Sequence, residues 1–291
     1  MLNQNNNFIQ GCWRLNSWDF SDNELLNFIY QLLDLGVNCF DHADIYGDYS
    51  CEAIFGRAMR LAPQIRHKIN LTSKCGIKLP SSKFPDHTHI YDTSYQHIID
   101  SVNRSLVNLS TDYLDLLLIH RPDPLMDPEE VARAFEQLKQ DGKVLNFGVS
   151  NFLPHQFELL QAYLDFPLQT NQIEVSVIEH QNFDNGTINH LHKLKIRPQV
   201  WSPLGGGSLF TDSSPANARV RQVLSNLADK YNCKIEQIAT VWLLRHPIRF
   251  QILLGSSKID RIRDMLDSQQ IELSRDDWFQ IWIAQVGHDI P

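Results

Sequence analysis

Eight short apolar runs alternate with longer amphipathic runs along the chain, and this alternation constrains its fold more than any other feature. None of the short runs alternates cleanly between polar and apolar residues, which is typical of parallel strands buried on both faces. We therefore predict eight strands, at Phe8–Leu15, Val37–Phe40, Ile69–Thr72, Leu114–Ile119, Val144–Val149, Leu168–Val175, Pro198–Trp201 and Phe250–Leu254.

The stretches between these runs have the apolar period of a helix. In Asp22–Leu35 the residues Leu25, Ile29 and Leu32 share one face, and Gly36 ends the run. Repeated strand–helix units form a doubly wound sheet or a barrel, and eight of them favour an α/β fold of the (β/α)₈ TIM-barrel type. The other predicted helices are Cys51–Leu61, Thr93–Leu109, Pro128–Gln140, Pro154–Leu164, Gly186–Leu194, Ala218–Tyr231, Ile235–His246, Ile259–Leu266 and an extra C-terminal one, Ser274–Val286.

No linker, charge block or low-complexity stretch divides the 291 residues, and one such barrel typically needs about 250. We predict a single domain over residues 1–291. Two long segments follow strand ends, Gly76–Asp92 and Ser202–Asn217, and long loops inside compact domains are usually functional. We expect both at the carboxyl ends of the strands, where barrel active sites lie.

The formal net charge of −8, from 26 basic and 34 acidic residues, offers no electrostatic footprint for nucleic acid or an anionic membrane. No apolar run is long enough to span a bilayer, and the polar start Met1–Asn7 has no secretory signal. The five cysteines are scattered and form no CxxC pair, which favours free thiols in a reducing cytosol. We predict a cytoplasmic protein without nucleic-acid or membrane partners.

Polar side chains gather where four successive predicted strands end. Asp41 follows the second strand, with Tyr46 shortly after it, and Lys74 follows the third. His120 follows the fourth strand and Ser150 the fifth. Because the carboxyl ends of neighbouring barrel strands converge on one mouth, we expect these side chains to meet there.

The residue types in this group suit the reduction of a carbonyl. A carbonyl that accepts a hydride becomes an alkoxide and needs a proton, but tyrosine, with an ordinary pKa of about 10, is a poor acid. The ammonium of Lys74 would lower the pKa of Tyr46, and Asp41 would keep Lys74 charged. His120 would hydrogen-bond the carbonyl oxygen. Taken singly, each residue also has a structural role open to it, as a turn cap, surface lysine, core histidine or packing aromatic.

With these motifs in place, the sequence resembles the aldo-keto reductase superfamily from Gly11 to the last helix, and within it a bacterial oxidoreductase subgroup. The resemblance implies a catalytic tetrad of Asp41, Tyr46, Lys74 and His120, with Tyr46 as general acid. It also implies NADPH as cofactor, a small-molecule carbonyl substrate, no metal, and a monomer or weak oligomer. The motifs that carry it, in the family's order and spacing, are Phe40–Gly47, Ser73-Lys74, Leu116–His120, Gly148–Phe152 and Asn171-Gln172.

The cofactor contacts come from the same resemblance, since the chain has no GxGxxG fingerprint of a Rossmann domain. Ser150, Asn151 and Gln172 are implied to hydrogen-bond the nicotinamide carboxamide. Trp201 is implied to stack on the nicotinamide ring, for which an aromatic face is suited, or is a core residue of the barrel. Further implied cofactor contacts are Ser202, Leu204 and Gly205.

A basic helix start follows the eighth predicted strand. Free backbone N–H groups and the positive end of the helix dipole make a helix start suitable for an anion. We predict that it binds the extra phosphate of NADPH and favours NADPH over NADH, the alternative being an ordinary capped surface helix. Asp264 is expected to contact the adenine, next to Met265, where many relatives have Asn. The predicted phosphate-binding residues are Ser256, Ser257, Lys258 and Arg261.

Trp13, Trp18 and the two long loops are expected to line the substrate pocket. Such aromatic lining favours an apolar aldehyde or ketone, although both tryptophans are equally consistent with packing under a lid. Only Met1–Asn7 precede the first predicted strand, so the N-terminal hairpin that closes the barrel in relatives is expected to be missing or reduced.

Three other functions remain open at the level of sequence. One is a cofactor-binding regulatory or accessory subunit with little turnover. Another is a Schiff-base aldolase with Lys74 as nucleophile, which leaves the residues around Ser150 unexplained. A metal hydrolase is weakest, because His42, His120 and the acidic residues lack a metal-ligand spacing.

Overall fold

The computed structural model describes residues 7–289, and eight of its strands form a closed parallel barrel, which confirms the predicted fold class. Around the barrel the strands follow the order β1-β10-β9-β8-β7-β6-β3-β2, and β4 and β5 form a separate antiparallel pair. The strands are β1 (Phe8–Gly11), β2 (Cys39–Asp41), β3 (Asn70–Cys75), β4 (Ile77–Lys78), β5 (Ile90–Tyr91), β6 (Leu116–Ile119), β7 (Phe147–Ser150), β8 (Asn171–Glu174), β9 (Gln199–Trp201) and β10 (Gln251–Leu254).

Helices connect the strands in the predicted alternation. The α-helices are α1 (Asp22–Asp34), α2 (Tyr46–Tyr49), α3 (Cys51–Leu61), α4 (Tyr95–Leu109), α5 (Pro128–Gln140), α6 (Pro154–Gln161), α7 (Gln181–Asp184), α8 (Thr187–Lys193), α9 (Ser208–Thr211), α10 (Pro215–Tyr231), α11 (Ile235–Leu244), α12 (Ile259–Asp267) and α13 (Arg275–Val286). Short 3-10 helices cover Leu15–Ser17, Pro63–Lys68, Gly205–Gly207 and Ser268–Gln270.

The described chain divides into two compact units, with the boundary after Gln172, within β8. The first unit holds β1 to β7 with α1 to α6, and the second holds β9 and β10 with α7 to α13. The single domain expected over residues 1–291 stays a prediction. The expected loss of an N-terminal hairpin concerns Met1–Asn7, of which residues 1–6 lie outside the described residues.

Three barrel strands of the first unit, β2, β6 and β7, are buried along their whole length, whereas both residues of β5 outside the barrel are exposed. All four residues of β6 are buried, and so are all four of β7. Within β7, a Cβ at Gly148 would lie 2.7 Å from the Thr170 carbonyl oxygen and 2.8 Å from Leu118 Cδ2. The close approach of β7 to its neighbours therefore requires glycine at this position.

Several strands end later than the apolar runs predict. Lys74 lies inside β3 and not after it, while Asp41 and Ser150 are the last residues of β2 and β7. In β3, Lys74 still pairs with Leu118 of β6. The apolar runs end early because polar side chains replace apolar ones at these positions while the backbone ladder continues.

The two segments expected to be loops contain short elements of their own. Gly76–Asp92 includes the hairpin of β4 and β5, and Ser202–Asn217 includes α9 and the first turn of α10. The Ser214 side chain caps α10 and Pro215 occupies its first turn, so this helix begins before the predicted start at Ala218. The isolated β4–β5 pair is too short for a two-residue period to be recognised in sequence.

The extra C-terminal helix is present as α13 and packs on α10 within the second unit. Trp242 of α11 and Trp278 of α13 are stacked with their ring centroids 4.8 Å apart. Trp242 Nε1 donates to the Trp278 carbonyl oxygen at 3.2 Å, and Trp278 Nε1 donates to the Trp242 carbonyl oxygen at 3.0 Å. This reciprocal pairing satisfies both indole N–H groups and links the two helices to each other.

Candidate active site

The side chain of Lys74 lies at the centre of the polar group in the first unit and is buried. Its Nζ donates to Asp41 Oδ2 at 2.6 Å, to the His42 carbonyl oxygen at 2.8 Å and to the Tyr46 hydroxyl at 2.9 Å. An ammonium has three hydrogens and no lone pair. Lys74 therefore uses all three, and the Tyr46 oxygen accepts one of them. The hydroxyl hydrogen of Tyr46 is left to donate elsewhere.

Asp41 is held through both carboxylate oxygens. Oδ2 accepts from Lys74, and Oδ1 accepts from Gln172 Nε2 at 2.8 Å. The predicted pairing of Asp41 with Lys74 is therefore present, and a second donor fixes the carboxylate. The contact of Asp41 with Gln172 was not expected from the sequence, in which the two residues lie 131 positions apart.

Tyr46 and His120 approach each other edge to face, with ring centroids 5.8 Å apart at 76°. Tyr46 begins α2, directly after Ile45 and close to the carboxyl end of β2. His120 directly follows β6. The fold thus brings together Asp41, Tyr46, Lys74 and His120, as the strand-end pattern predicts.

Burial determines the ionisation of Tyr46. Burial raises the pKa of Tyr46 above its ordinary value, the nearby Lys74 ammonium lowers this pKa, and Asp41 raises it further. Lys74 therefore acts in the predicted direction, but the net direction of the pKa is upward because the effect of burial is larger. Removal of water from a phenol disfavours its anion more than one cation can offset here. Tyr46 consequently keeps its proton at neutral pH.

Lys74 is charged in this environment. Burial alone would lower the pKa of Lys74, but the Asp41 carboxylate and the Tyr46 hydroxyl raise it, and the net direction is upward. The lysine is thus an ammonium that donates three hydrogen bonds. It can stabilise a negative charge that develops on the Tyr46 oxygen when the phenol gives up its proton.

Two buried histidines near Lys74 are neutral. Burial, with the Lys74 and Arg121 cations, holds the pKa of His120 well below its ordinary value. Among the described residues, nothing hydrogen-bonds His120 Nδ1. Burial and Lys74 lower the pKa of His42 to about 3. The ring of His42 packs against Phe55 with centroids 4.6 Å apart. His42 contributes to the site through its backbone carbonyl oxygen, which accepts from Lys74 Nζ. No sequence signal marks that carbonyl.

The residues expected at the nicotinamide carboxamide lie together. Ser150 Oγ donates to the Gln172 carbonyl oxygen at 2.8 Å, and Asn151 Nδ2 donates to Ser150 Oγ at 2.8 Å. Asn151 has a φ of 62°, a left-handed conformation that asparagine tolerates better than most residues. Through Gln172, this group is joined to Asp41 and so to Lys74.

In the second unit, three residues expected to contact the cofactor occupy one tight turn, and a fourth, Trp201, directly precedes it. Trp201 ends β9, and Ser202 follows with a φ of 50°. The Ser202 carbonyl oxygen accepts from the Gly205 amide at 2.8 Å, and Leu204 lies between them. Gly205 has a φ of 60°, and a Cβ there would lie 2.4 Å from Ile178 Cδ1. The left-handed φ favours glycine at position 205, and any side chain there would also have to displace the end of Ile178.

The predicted basic helix start is also in the second unit. Lys258 precedes α12, whose first turn has no side-chain cap, and the Lys258 amide donates to Ser256 Oγ at 3.0 Å. Ser257 lies between them. Lys258 and Arg261 are exposed, and neither has an ion-pair partner among residues 7–289. Two free cations at a helix start can accept an anionic group.

Of the three other residues predicted around the cofactor and substrate, Asp264 and Trp18 contact side chains of the protein itself, and Trp13 is exposed. Asp264 forms an ion pair with Lys234. Trp18 packs edge-on against Phe28 with ring centroids 5.6 Å apart, whereas Trp13 is 57% exposed. Trp18 thus has a packing role, and Trp13 is open to solvent. The contact of Asp264 with Lys234 was missed because nothing in the sequence links the two helices.

The described part of the chain, residues 7–289, has no candidate for a metal centre or for a membrane span. In this part of the chain, no three His, Cys, Asp or Glu side chains cluster so that they could hold a metal ion. No described helix is both long and apolar enough to cross a membrane.

Comparison with known proteins shows which family this chain is similar to. The family model described as the aldo/keto reductase family matches residues 7–284. The uncharacterized oxidoreductase YcsN of Bacillus subtilis (strain 168) is 48% identical over 285 residues, which cover 97% of this chain and 95% of the relative. The 6-dehydroglucose reductase of Agrobacterium fabrum (strain C58 / ATCC 33970) is 39% identical over 284 residues, 97% of this chain and 95% of that protein.

The fold agrees with a solved structure. A crystal structure of an aldo/keto reductase from Klebsiella pneumoniae, in complex with NADP and acetate, matches with a TM-score of 0.76. The match has 21% sequence identity and covers 94% of this chain and 89% of that one, so it bears on the fold alone. From the family match over nearly the whole length, we conclude that this chain belongs to the aldo/keto reductase family.

Proposed function

We propose that the protein reduces an aldehyde or a ketone to an alcohol with NADPH, and that Tyr46 is the general acid. The observation that carries this proposal is the set of three hydrogen bonds from Lys74 Nζ. Because the Tyr46 oxygen accepts from Lys74, its own hydrogen is available to another acceptor. A phenol that keeps its proton at neutral pH, next to a buried cation, suits the protonation of an alkoxide.

Each of the four residues then has a distinct task. Tyr46 donates its proton to the substrate oxygen as negative charge develops there, and Lys74 stabilises the phenolate that remains. Asp41 keeps Lys74 charged and in place. His120, which is neutral, directs the substrate oxygen by a hydrogen bond. The nicotinamide of NADPH would supply the hydride when bound.

The donors and acceptors of the first unit fit a carboxamide. Ser150, Asn151 and Gln172 offer hydroxyl and amide groups of both kinds, and the left-handed backbone at Asn151 sets their arrangement. A carboxamide needs both a donor and an acceptor. We propose these three for the nicotinamide, and Trp201, Ser202, Leu204 and Gly205 for further contacts with the cofactor.

We assign the helix start of α12 to the extra phosphate of NADPH. Lys258 and Arg261 are exposed without a carboxylate partner in residues 7–289, and the first turn of α12 has no side-chain cap. Ser256 and Ser257 add hydroxyl groups. This set favours a dianionic phosphate, which NADPH carries and NADH lacks at that position. We still assign Asp264 to the adenine. To make that contact, Asp264 would exchange its ion pair with Lys234 for a bond to the adenine.

The alternative in which Lys74 acts as a Schiff-base nucleophile is disfavoured. Such a lysine must lose its proton to attack a carbonyl, and enzymes achieve this by lowering its pKa. The pKa of Lys74 is raised and all three of its hydrogens are donated. These contacts hold Lys74 as an ammonium.

A carbonyl panel with NADPH tests the proposal directly. It includes apolar aldehydes and ketones, which lining by Trp13 and Trp18 would favour, and a dehydroglucose, because one relative is named 6-dehydroglucose reductase. We expect loss of NADPH absorbance with at least one compound. Binding of NADPH without its consumption across the panel would refute the proposal and favour an accessory subunit with little turnover.

We expect Lys258→Ala to weaken NADPH binding about tenfold, the loss of one exposed charge-assisted hydrogen bond. Binding of NADH should change less than twofold, because NADH carries no phosphate there. Fluorescence titration of both cofactors measures the ratio, and Lys68→Ala, which removes another exposed lysine, is the control. Equal affinity of the variant and the wild type for NADPH would refute the assignment.

We also propose that the protein is cytoplasmic and acts as a monomer or weak oligomer. The five cysteines are all free thiols, which a reducing compartment maintains. The family resemblance supports a monomer or weak oligomer, and light scattering measures the assembly state.

A further inference from the structure

The backbone after Tyr46 forms a left-handed turn. The φ angles are 59° at Gly47, 55° at Asp48 and 59° at Tyr49. Residues other than glycine rarely adopt this conformation, because their Cβ crowds the following carbonyl oxygen. Strain of this kind persists only where surrounding contacts hold it, and it is found preferentially at functional sites. The contacts that hold this turn therefore bear on Tyr46, which begins it.

Tyr49 binds the segment that follows β4 through its hydroxyl. The hydroxyl accepts from the Leu79 amide at 2.8 Å and donates to the Leu79 carbonyl oxygen at 3.3 Å. The ring of Tyr49 meets Phe84 edge to face, with centroids 4.8 Å apart. Tyr49 is only 7% exposed. One side chain thus satisfies both backbone groups of Leu79 in a protected position.

The backbone of the turn has its own contacts with the same segment. Lys83 Nζ donates to the Tyr49 carbonyl oxygen at 2.6 Å, and Ser82 Oγ donates to Asp48 Oδ2 at 3.1 Å. At the start of the turn, a Cβ at Gly47 would lie 2.5 Å from Cys51 Sγ. The turn therefore makes hydrogen bonds with the loop segment and is closely packed at Gly47.

These contacts join the two chain segments that carry the reacting phenol and its cation. The turn directly follows Tyr46, and the loop segment follows Lys74 by way of β4. We call the contacts of Tyr49 with Leu79, Lys83 and Phe84 the Tyr49 anchor. A turn of two strained non-glycine residues that lost this anchor would relax towards negative φ and carry Tyr46 with it.

We propose that Tyr49 is a positioning residue that holds the Tyr46 hydroxyl against Lys74 Nζ through the Tyr49 anchor. Its effect on turnover rests on the proposed function, but its effect on the Tyr46 phenol does not. Weakening of the 2.9 Å contact between the Tyr46 oxygen and Lys74 Nζ would remove the influence that favours the phenolate. The phenol would then become a weaker acid.

The kinetic test is Tyr49→Phe, which keeps the ring beside Phe84 but removes both hydrogen bonds to Leu79. We expect kcat for carbonyl reduction to fall about three- to tenfold for a rise of about one unit in the pKa of the acid, because the rate of a general acid follows its acidity with a Brønsted slope below one. The KM for NADPH should stay within twofold, and the alkaline limb of the kcat profile should move to higher pH. A change that only loosened the fold would lower the melting temperature without moving this limb.

A second measurement reads the phenol without turnover. In protein labelled with [ζ-¹³C]tyrosine, the Tyr46 resonance is the one that Tyr46→Phe removes, and its shift with pH gives the pKa. We expect a higher pKa for Tyr46 in Tyr49→Phe and no change in Tyr163→Phe, which alters a 48% exposed tyrosine. Lys83→Met removes the bond to the Tyr49 carbonyl from an exposed side chain and should act in the same direction.

The outcomes separate the two proposals. An unchanged pKa of Tyr46 in both Tyr49→Phe and Lys83→Met would overturn the positioning role, whether or not the wild type turns over. A raised pKa with unchanged kcat in an active enzyme would also overturn it. If the wild type reduces no carbonyl but the pKa rises in both variants, the reductase proposal fails and the anchor stands.

Discussion

Tyr46→Phe should lower kcat for carbonyl reduction by about 10²–10⁴-fold, the contribution typical of a positioned general acid. The substitution removes one oxygen, which accepts from Lys74 Nζ at 2.9 Å, and leaves the ring beside His120. Binding of NADPH should be unchanged, because the phenol is not assigned to the cofactor. Steady-state kinetics with the best compound of the panel, together with a cofactor titration, measures both effects.

The dependence of the wild-type kcat on pH follows from the same assignment of Tyr46 as the acid. Reduction needs protonated Tyr46, so the rate is present below the pKa of Tyr46 and lost above it. Because that pKa is raised above the ordinary value of about 10, kcat should stay flat through neutral pH and fall only in the alkaline range. His120 is neutral across this range and adds no limb near its ordinary pKa.

Tyr30→Phe serves as the matched control for Tyr46→Phe, since it removes a hydroxyl from a tyrosine that is 37% exposed on α1. Its kcat should equal that of the wild type. If Tyr46→Phe kept more than a tenth of the wild-type kcat, Tyr46 would not be the acid, and His120 would be the residue to test next.

Lys74→Met should remove activity and also destabilise the fold. The substitution leaves Asp41 buried without its cation, and breaking a buried ion pair in this way costs about 3–5 kcal/mol. We expect the free energy of unfolding, measured in urea, to fall by about that amount. The kcat should fall about as much as in Tyr46→Phe, because the remaining phenol has lost the cation that stabilises its anion.

The double variant Asp41→Asn/Lys74→Met separates the two effects. It removes the unpaired charge while keeping an oxygen that can accept from Gln172 Nε2. We expect the double variant to be more stable than Lys74→Met alone but equally inactive. The gain in stability would show that the two substitutions are coupled, which a double-mutant cycle measures. Stabilities that were simply additive would mean that the 2.6 Å contact between Asp41 and Lys74 contributes little to the fold.

The sequence was sufficient to locate the four central residues for a topological reason. The carboxyl ends of neighbouring barrel strands meet at one mouth, so polar residues at strand ends converge wherever the barrel closes. Asp41, Lys74 and His120 each lie at or beside such an end, and Tyr46 follows closely. The eight strands could also be predicted, because continuous apolar runs indicate strands that are buried on both faces.

Other features could not be read from the sequence, because they depend on burial or on distant pairing. The net rise in the pKa of Tyr46 comes from loss of water, whereas the sequence shows only the neighbouring cation. The bonds from Gln172 to Asp41 and from Lys234 to Asp264 join residues with no recognisable spacing. The left-handed backbone of Tyr49 has no sequence signal either.

Ser150, Gln172, Asp41 and Lys74 are successive members of one hydrogen-bonded series that starts at Asn151. In such a series each change leaves the next member with an unmet donor or acceptor, and the burial makes that costly. We therefore expect evolutionary drift at these positions to be slow, since a protein with one replaced residue would be less stable. New catalytic specificities in descendants of this protein should arise in its surface loops, while this series is inherited as a block.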